Sequence, residues 1–168
     1  MNNNGFEIER KFLIRYPDAA ELSRCAESSE IWQTYLSGGE AGFSERVRKR
    51  GRDGVYVYTH TKKSHITDIR RVEIEREIGE EEYLALLQRA DPERSTVCKT
   101  RFCLSYENQL FEIDIYPFWT DRAIMEIELE DEAQTVKFPP MIEILREVTG
   151  DKRYTNASIA RAIPEESI

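Results

Sequence analysis

At 168 residues with 40% hydrophobic content, the chain has the size of one domain able to bury a core, so a single domain spanning residues 1–168 is expected. Thirty-two acidic against 24 basic residues give a formal net charge of -8, which excludes general affinity for nucleic acid or an anionic membrane surface. Cys25, Cys98 and Cys103 fit neither a disulfide framework nor zinc-knuckle spacing, and neither a leader pattern nor a long apolar run occurs; a reduced, cytoplasmic protein is expected.

Residues 6–14 alternate apolar Phe6, Ile8, Phe12 and Ile14 with polar Glu7, Glu9 and Lys11, the period of a strand, with Arg10 as a breach in the apolar face. Asp18, with Glu21 three positions on, predicts the cap of a short helix carrying Leu22, Cys25 and Ala26 and ending near Ser28. Strands are expected at 31–36, 44–50 and 55–63, the last two joined by Gly51-Arg52-Asp53-Gly54, a hairpin-turn composition. Another follows at 71–78. Gly79 and the acids 80–82 open a helix through Ala90 on Tyr83, Leu84, Leu87 and Ala90, stopped by Asp91-Pro92. Strands return at 97–106, 109–116 and 123–130, the first two forming a hairpin that turns at Asn108. Pro139-Pro140 predicts a short helix or turn ending near Gly150, and Asn156 caps a last helix to Ala162 that covers one end of the sheet. Eight or so hairpin-connected strands with a few short helices predict an α+β protein whose antiparallel sheet closes into a barrel.

The polar faces of six strands carry charge at every second residue: Glu7, Glu9 and Lys11; Arg46 and Arg48; Glu73 and Glu75; Lys99 and Arg101; Glu112 and Asp114; Glu126 and Glu128. The residues between them, Ile8, Val47, Ile74, Ile113 and Ile127, are expected to pack against helices outside the sheet. A wetted sheet face tolerates Ser, Thr, Gln and Asn as readily as charge, whereas these positions sort into acidic and basic strands. Inside a barrel such charges must meet water, each other or charged ligands, because unpaired they are too costly to desolvate. With one lysine of the pair Lys62 and Lys63, six bases face eight acids, a lumen of −2 that two Mg²⁺ would bring to +2. Paired carboxylates are the hard oxygen ligands that Mg²⁺ or Mn²⁺ prefers, and Arg and Lys give charge-assisted bonds to phosphate oxygens.

Glu7-Ile8-Glu9-Arg10-Lys11 resembles the ExExK signature of the CYTH, or triphosphate tunnel, superfamily. Further matches follow in the family's order: 33–36, the pair Arg46 and Arg48, Thr61 with Lys63, Arg71 to Glu75, Lys99 to Arg101, Glu112 with Asp114, Glu126 with Glu128, and a tail at 147–156 similar to the short bacterial members. The resemblance implies a closed eight-stranded antiparallel tunnel with helices packed outside and a C-terminal helix near one mouth. It implies that Glu7, Glu9, Glu126 and Glu128 hold the metals, supported by Glu73, Glu75, Glu112 and Asp114. Lys11, Arg46, Arg48, Lys63, Lys99 and Arg101 would bind the phosphate chain. Glu45 departs from the apolar residue many relatives carry ahead of the arginine pair, and the segment 64–69 leaves the role of Arg71 open.

The expected chemistry is metal-assisted attack of water on a terminal phosphorus, with Glu7, Glu9 and Lys11 as the catalytic groups and Lys11 placed to protonate or stabilise the leaving group. Inorganic triphosphate is the first substrate reading. Class IV adenylate cyclase is the alternative, then thiamine triphosphatase with Tyr35, Tyr56, Tyr58 or Trp119 as stacking residues, then a non-catalytic polyphosphate-binding module using 46–52. Neither nucleic acid nor membrane is expected as a partner, and monomer and homodimer stay open. His60 and His65 read as surface residues of a strand and its turn.

Overall fold

A computed structural model of the chain describes residues 6–168. Its strands are β1 (Phe6–Arg15), β2 (Glu27–Tyr35), β3 (Ser44–Arg52), β4 (Val55–His65), β5 (Arg70–Ile78), β6 (Val97–Tyr106), β7 (Gln109–Ile115), β8 (Arg122–Glu128) and β9 (Ile144–Glu147). The helices α1 (Ala19–Cys25), α2 (Glu80–Leu86) and α3 (Asn156–Ile159) are short. Asp18 caps α1 as expected, its carboxylate accepting from the amides of Ala20 and Glu21 at 2.9 and 3.0 Å. Ala26 is already extended, so α1 stops before Ser28 and β2 starts four residues ahead of the expected strand. The β3–β4 turn places Asp53 (φ 52°) and Gly54 (φ 82°) in the left-handed region, the two-residue geometry whose twist matches a hairpin.

Three expectations are corrected. Pro139-Pro140 opens a turn, with Ile142 N donating to Pro139 O at 3.1 Å, but the stretch beyond it forms β9, neither helix nor turn, because a free length of β1 offers it a partner through Phe12↔Glu147 and Leu13↔Arg146. The last helix is capped by Thr155, whose hydroxyl accepts from Ser158 N at 3.1 Å, while the Asn156 side chain takes a hydrogen bond from the Tyr116 hydroxyl. α2 gives way to a 3₁₀ turn at Leu87–Arg89, and Leu84, expected on its apolar stripe, is 54% exposed.

Antiparallel pairing runs β5-β4-β3-β2-β6-β7-β8-β1, and β1 pairs back with β5, so eight strands close a barrel. Eight is the strand number whose interior is just filled by side chains or by one small ligand. The closing seam is thin: among the described residues, only Phe6, Glu7 and Ile8 of β1 pair with β5. β9 joins the same edge of β1 further along.

Outside, Ile8, Phe12, Ile14, Ile113 and Ile127 form a core with Leu22 of α1 and Ile142, and Val47 and Ile78 pack under Tyr83 of α2. Ile74 is 56% exposed, contrary to expectation, because α2 lies over β3 and β4 and meets β5 only towards its end, at Arg76 and Ile78. Inside one end of the barrel, Leu13, Tyr35, Val97, Tyr116 and Ile124 meet Tyr154 and Ile159 from the C-terminal segment. This apolar plug, with Tyr154 at 0% and Tyr116 at 1% exposure, closes that end.

Candidate functional site

The remaining length of the lumen is a cavity of about 210 Å³. β3 lines one wall with Arg46, Arg48 and Arg50, successive inward positions about 7 Å apart along a strand. Across from it stand Glu7 and Glu9 of β1, Glu126 and Glu128 of β8, Glu73 and Glu75 of β5 and Glu112 of β7, with Lys63 and Arg101 among them. Three expected site residues, Lys11, Lys99 and Asp114, do not border this cavity and form its floor.

That floor is a satisfied network. Asp114 accepts from Lys99 Nζ at 2.5 Å and from Arg101 Nε and Nη2 at 2.7 and 2.8 Å, and the Lys99 and Asp114 side chains are 0% exposed. Burial alone would raise the Asp114 carboxyl, but Arg101 and Lys99 outweigh it and hold it below its ordinary range. Burial pulls the Lys99 ammonium down against the opposing pull of Asp114, and Arg101 is the larger of the two charges acting on Asp114. Arg101 also contacts Glu112 and lies 3.6 Å from Glu126. Lys11 Nζ sits 3.1 Å from Glu126 Oε1 and donates to the Tyr154 carbonyl at 3.3 Å. Burial depresses Lys11, and Glu126 and Glu9 more than offset it, leaving a firmly charged ammonium.

Above the floor the acids are less well compensated. Lys63 bridges Glu7 at 3.1 Å and Glu73 at 3.2 Å, whereas Lys62 points outward to Glu40 at 3.8 Å, so the β3–β4 register brings Lys63 into the lumen. Arg71, on the inward face of β5, reaches Glu9 at 3.3 Å and Glu7 at 3.7 Å. Burial raises the Glu7 and Glu9 carboxyls, with further upward pushes from Glu73 on Glu7 and from Glu126 on Glu9; burial followed by Glu7 and Glu9 does the same to Glu128. Among the described residues no three carboxylate, imidazole or thiol groups converge on one preformed metal cage; the acids lean on Lys63, Arg71 and Lys11.

The arginine wall has the opposite character. Arg48 is held by the neutral Gln33 Oε1 at 2.9 and 3.2 Å, and Arg50 by Ser29 Oγ at 2.8 Å and Cys103 Sγ at 3.4 Å. Arg46 has a single distant acid, Glu73 at 3.9 Å, and its Nε has no hydrogen-bond partner among the described residues. Burial, then Arg46 and Arg101, pull Arg48 down to about 9, which leaves it charged at neutral pH. Sequence reasoning missed Arg50 and left Arg71 open, although each sits two residues from a residue already placed inward. With both included, eight bases face eight acids and the lumen is formally neutral, not −2.

Other candidates lie elsewhere. Glu45 points outward into a buried cluster with His60 Nε2 at 2.7 Å and Arg89 Nη2 at 2.8 Å, so His60 is buried where a surface residue was expected. Tyr35 and Trp119 belong to the plug, Tyr56 packs against Trp32, and Tyr58 against Tyr83. Phe6 is the one aromatic residue lining the cavity among the described residues.

No family model matches the chain. It is 34% identical over 163 residues, 94% of its length and 99% of the relative's, to a Nitrosomonas europaea protein named inorganic triphosphatase. A protein of the same name from Acetivibrio thermocellus is 30% identical over 158 residues, 94% of each chain. The crystal structure of the inorganic triphosphatase NE1496 aligns at 31% identity with a TM-score of 0.58, covering 95% of this chain and 97% of that one.

Proposed function

The chain belongs to the CYTH, or triphosphate tunnel, family that includes the inorganic triphosphatases, and we propose that it hydrolyses inorganic triphosphate held along the arginine wall of its lumen. One observation carries the reading: Arg48 and Arg50 are lumen guanidiniums whose side-chain hydrogen bonds go to neutral groups, facing carboxyls that burial and mutual repulsion have pushed up. Such a pair of walls accepts an anion on one side and cations on the other.

Arg46, Arg48 and Arg50 bind the phosphate chain lengthwise, with Lys63 and Arg101 at its flanks. Glu7, Glu9, Glu126 and Glu128 would hold one or two divalent ions, Mg²⁺ or Mn²⁺, since their oxygens are the hard donors these ions take and a cation relieves the repulsion that raises Glu7, Glu9 and Glu128. When bound, such an ion polarises the phosphoryl oxygens and the attacking water. Glu73 steadies Lys63 and Glu112 steadies Arg101, Glu75 accepts from the Thr61 hydroxyl beside them, and Asp114 locks Arg101 in place. Water oxygen bonds to the terminal phosphorus, the phosphoanhydride P–O bond breaks with its bonding pair going to pyrophosphate, and the proton released by the water passes to the departing pyrophosphate or to solvent. Lys11, charged and anchored at the floor, neutralises the charge that develops deepest in the lumen. A lumen lined by one aromatic, with the tyrosines and Trp119 directed elsewhere, supports a substrate without an organic group over ATP cyclisation or thiamine triphosphate.

The test is orthophosphate and pyrophosphate release from inorganic triphosphate, ATP and thiamine triphosphate with Mg²⁺, Mn²⁺ or EDTA. Metal-dependent cleavage of inorganic triphosphate well ahead of the other two is expected. Cyclic AMP from ATP would replace this reading with a cyclase, and triphosphate binding without turnover would reduce the lumen to a binding site.

A further inference from the structure

Where the barrel closes, its wall is incomplete. β5 leaves β1 after Ile8 and β9 takes over at Phe12, and in between the β1 edge is met by loops: Glu9 N donates to Ile69 O at 3.1 Å, Lys11 N to Thr149 Oγ1 at 2.9 Å, and Val148 N to Lys11 O at 2.8 Å. Between these loops lies a second cavity of about 80 Å³. A water occupies about 30 Å³ of liquid, so the space matches two or three waters or one orthophosphate in their place. Its inner end is formed by Glu9, Lys11 and Arg71, and Glu9 also borders the main cavity. Glu9, which takes a hydrogen bond from Arg71 at 3.3 Å, is the residue common to the lining of both spaces. At the outer lip Lys152 is exposed and has no ion-pair partner among the described residues, while its neighbour Asp151 is taken by Arg153 at 2.7 Å.

The apolar plug shuts the deep end of the lumen, and pyrophosphate left on the arginine wall would fill the way to the mouth. Orthophosphate cleaved beside Lys11 would then be trapped beneath it. We propose that the seam between β5 and β9 is a side passage through which orthophosphate leaves, drawn along Lys11, Arg71 and Lys152 and opened when Arg71 swings away from Glu9. The proposal rests on the triphosphatase reading and adds a second exit to it.

The passage can be stapled shut. A Cβ built on Gly150 would stand 2.8 Å from Asp68 Cβ, across the outer lip, and natural disulfides need about 3.5–4.5 Å, a difference two loops can absorb. The test compares Asp68→Cys/Gly150→Cys, in a chain with Cys25, Cys98 and Cys103 replaced by Ser, before and after oxidation. Gly150 has φ +78°, so the strain of a side chain there is common to both states and cancels. Oxidation is expected to cut steady-state turnover about tenfold while single-turnover cleavage of bound triphosphate keeps its rate, with reductant restoring both orthophosphate release and turnover. Equal turnover in both states, or loss of single-turnover cleavage in step with it, would overturn the passage. If the stapled chain does not fold, Lys152→Glu serves instead: slower orthophosphate release at unchanged KM is expected, and unchanged release overturns the proposal. Wild-type protein that cleaves no triphosphate overturns the functional reading itself, a result distinct from either.

Discussion

The two sides of one lumen treat charge in opposite ways. On the β6–β7 side, Lys99, Asp114 and Arg101 are paired with one another at 2.5–2.8 Å, and the Lys99 and Asp114 side chains have no exposed surface. Along β1, β3 and β5, Arg48 and Arg50 make their hydrogen bonds to neutral groups, and the Glu7 and Glu9 carboxyls stay raised although Lys63, Arg71 and Lys11 lie against them, so compensation there is incomplete. A filled network specifies where side chains stand, whereas an uncompensated one reserves its interactions for a ligand. The largest expected effect follows from the filled side. Asp114→Asn would leave two buried cations without their shared partner and cost about 3–5 kcal/mol of stability, read from denaturant unfolding. A loss below about 1 kcal/mol would mean that the floor is not the foundation described.

The open side should show the reverse. Glu9→Gln removes a carboxylate whose charge the fold disfavours, so the thermal midpoint should hold or rise while metal-dependent turnover falls about 10²–10³-fold. A midpoint that drops as far as that of Asp114→Asn would erase the distinction between the sides. On the facing wall, Arg48→Ala should raise KM for triphosphate about tenfold or more with little change in stability, and Arg50→Ala, nearer the mouth, should raise it less. Measured KM values in the opposite order would place the substrate chain closer to the mouth than Lys11 requires.

Much of this contrast was legible before any coordinates, because strand periodicity assigns a face to every residue. The alternation at Glu7, Glu9 and Lys11 and at Arg46 and Arg48 put the right side chains inward. The same rule reaches Arg50 and Arg71, which lie at the ends of the expected strands 44–50 and 71–78, in step with Arg48 and Glu73. What no periodicity carries is distance across the barrel. Lys99 and Asp114 looked like a phosphate ligand and a supporting acid, yet the β6–β7 register sets them in a pair with no exposed surface. The choice between Lys62 and Lys63 likewise rested on register, with Lys63 opposite Ser44 and Glu73. β9 escaped notice because four residues show too little alternation, and its place is decided by the edge that β5 leaves free on β1. The outer face misled at Ile74, where the sequence pattern is that of a covered strand but no helix arrives.

The smallest effect expected is in the pH dependence of stability, and its sign separates the two sides again. Asp114 and Glu126 titrate below their ordinary range in the folded protein, so their contribution is present above that range and lost as pH falls through the lowered values. Glu7, Glu9, Glu112 and Glu128 titrate above it, so ionising them at neutral pH costs stability that returns as pH falls through the raised values towards the ordinary range. Metal-free protein should therefore be most stable at mildly acidic pH, with a shallow decline towards neutrality and a steeper one in stronger acid. Activity should move the other way, rising towards neutrality as Glu7, Glu9 and Glu128 ionise and become ligands for Mg²⁺ or Mn²⁺. Thermal midpoints across this range, with and without Mg²⁺, provide the check: saturating metal should flatten the decline towards neutrality, and Glu7→Gln should flatten part of it with no metal present. A decline that survives both would have to come from groups outside the lumen.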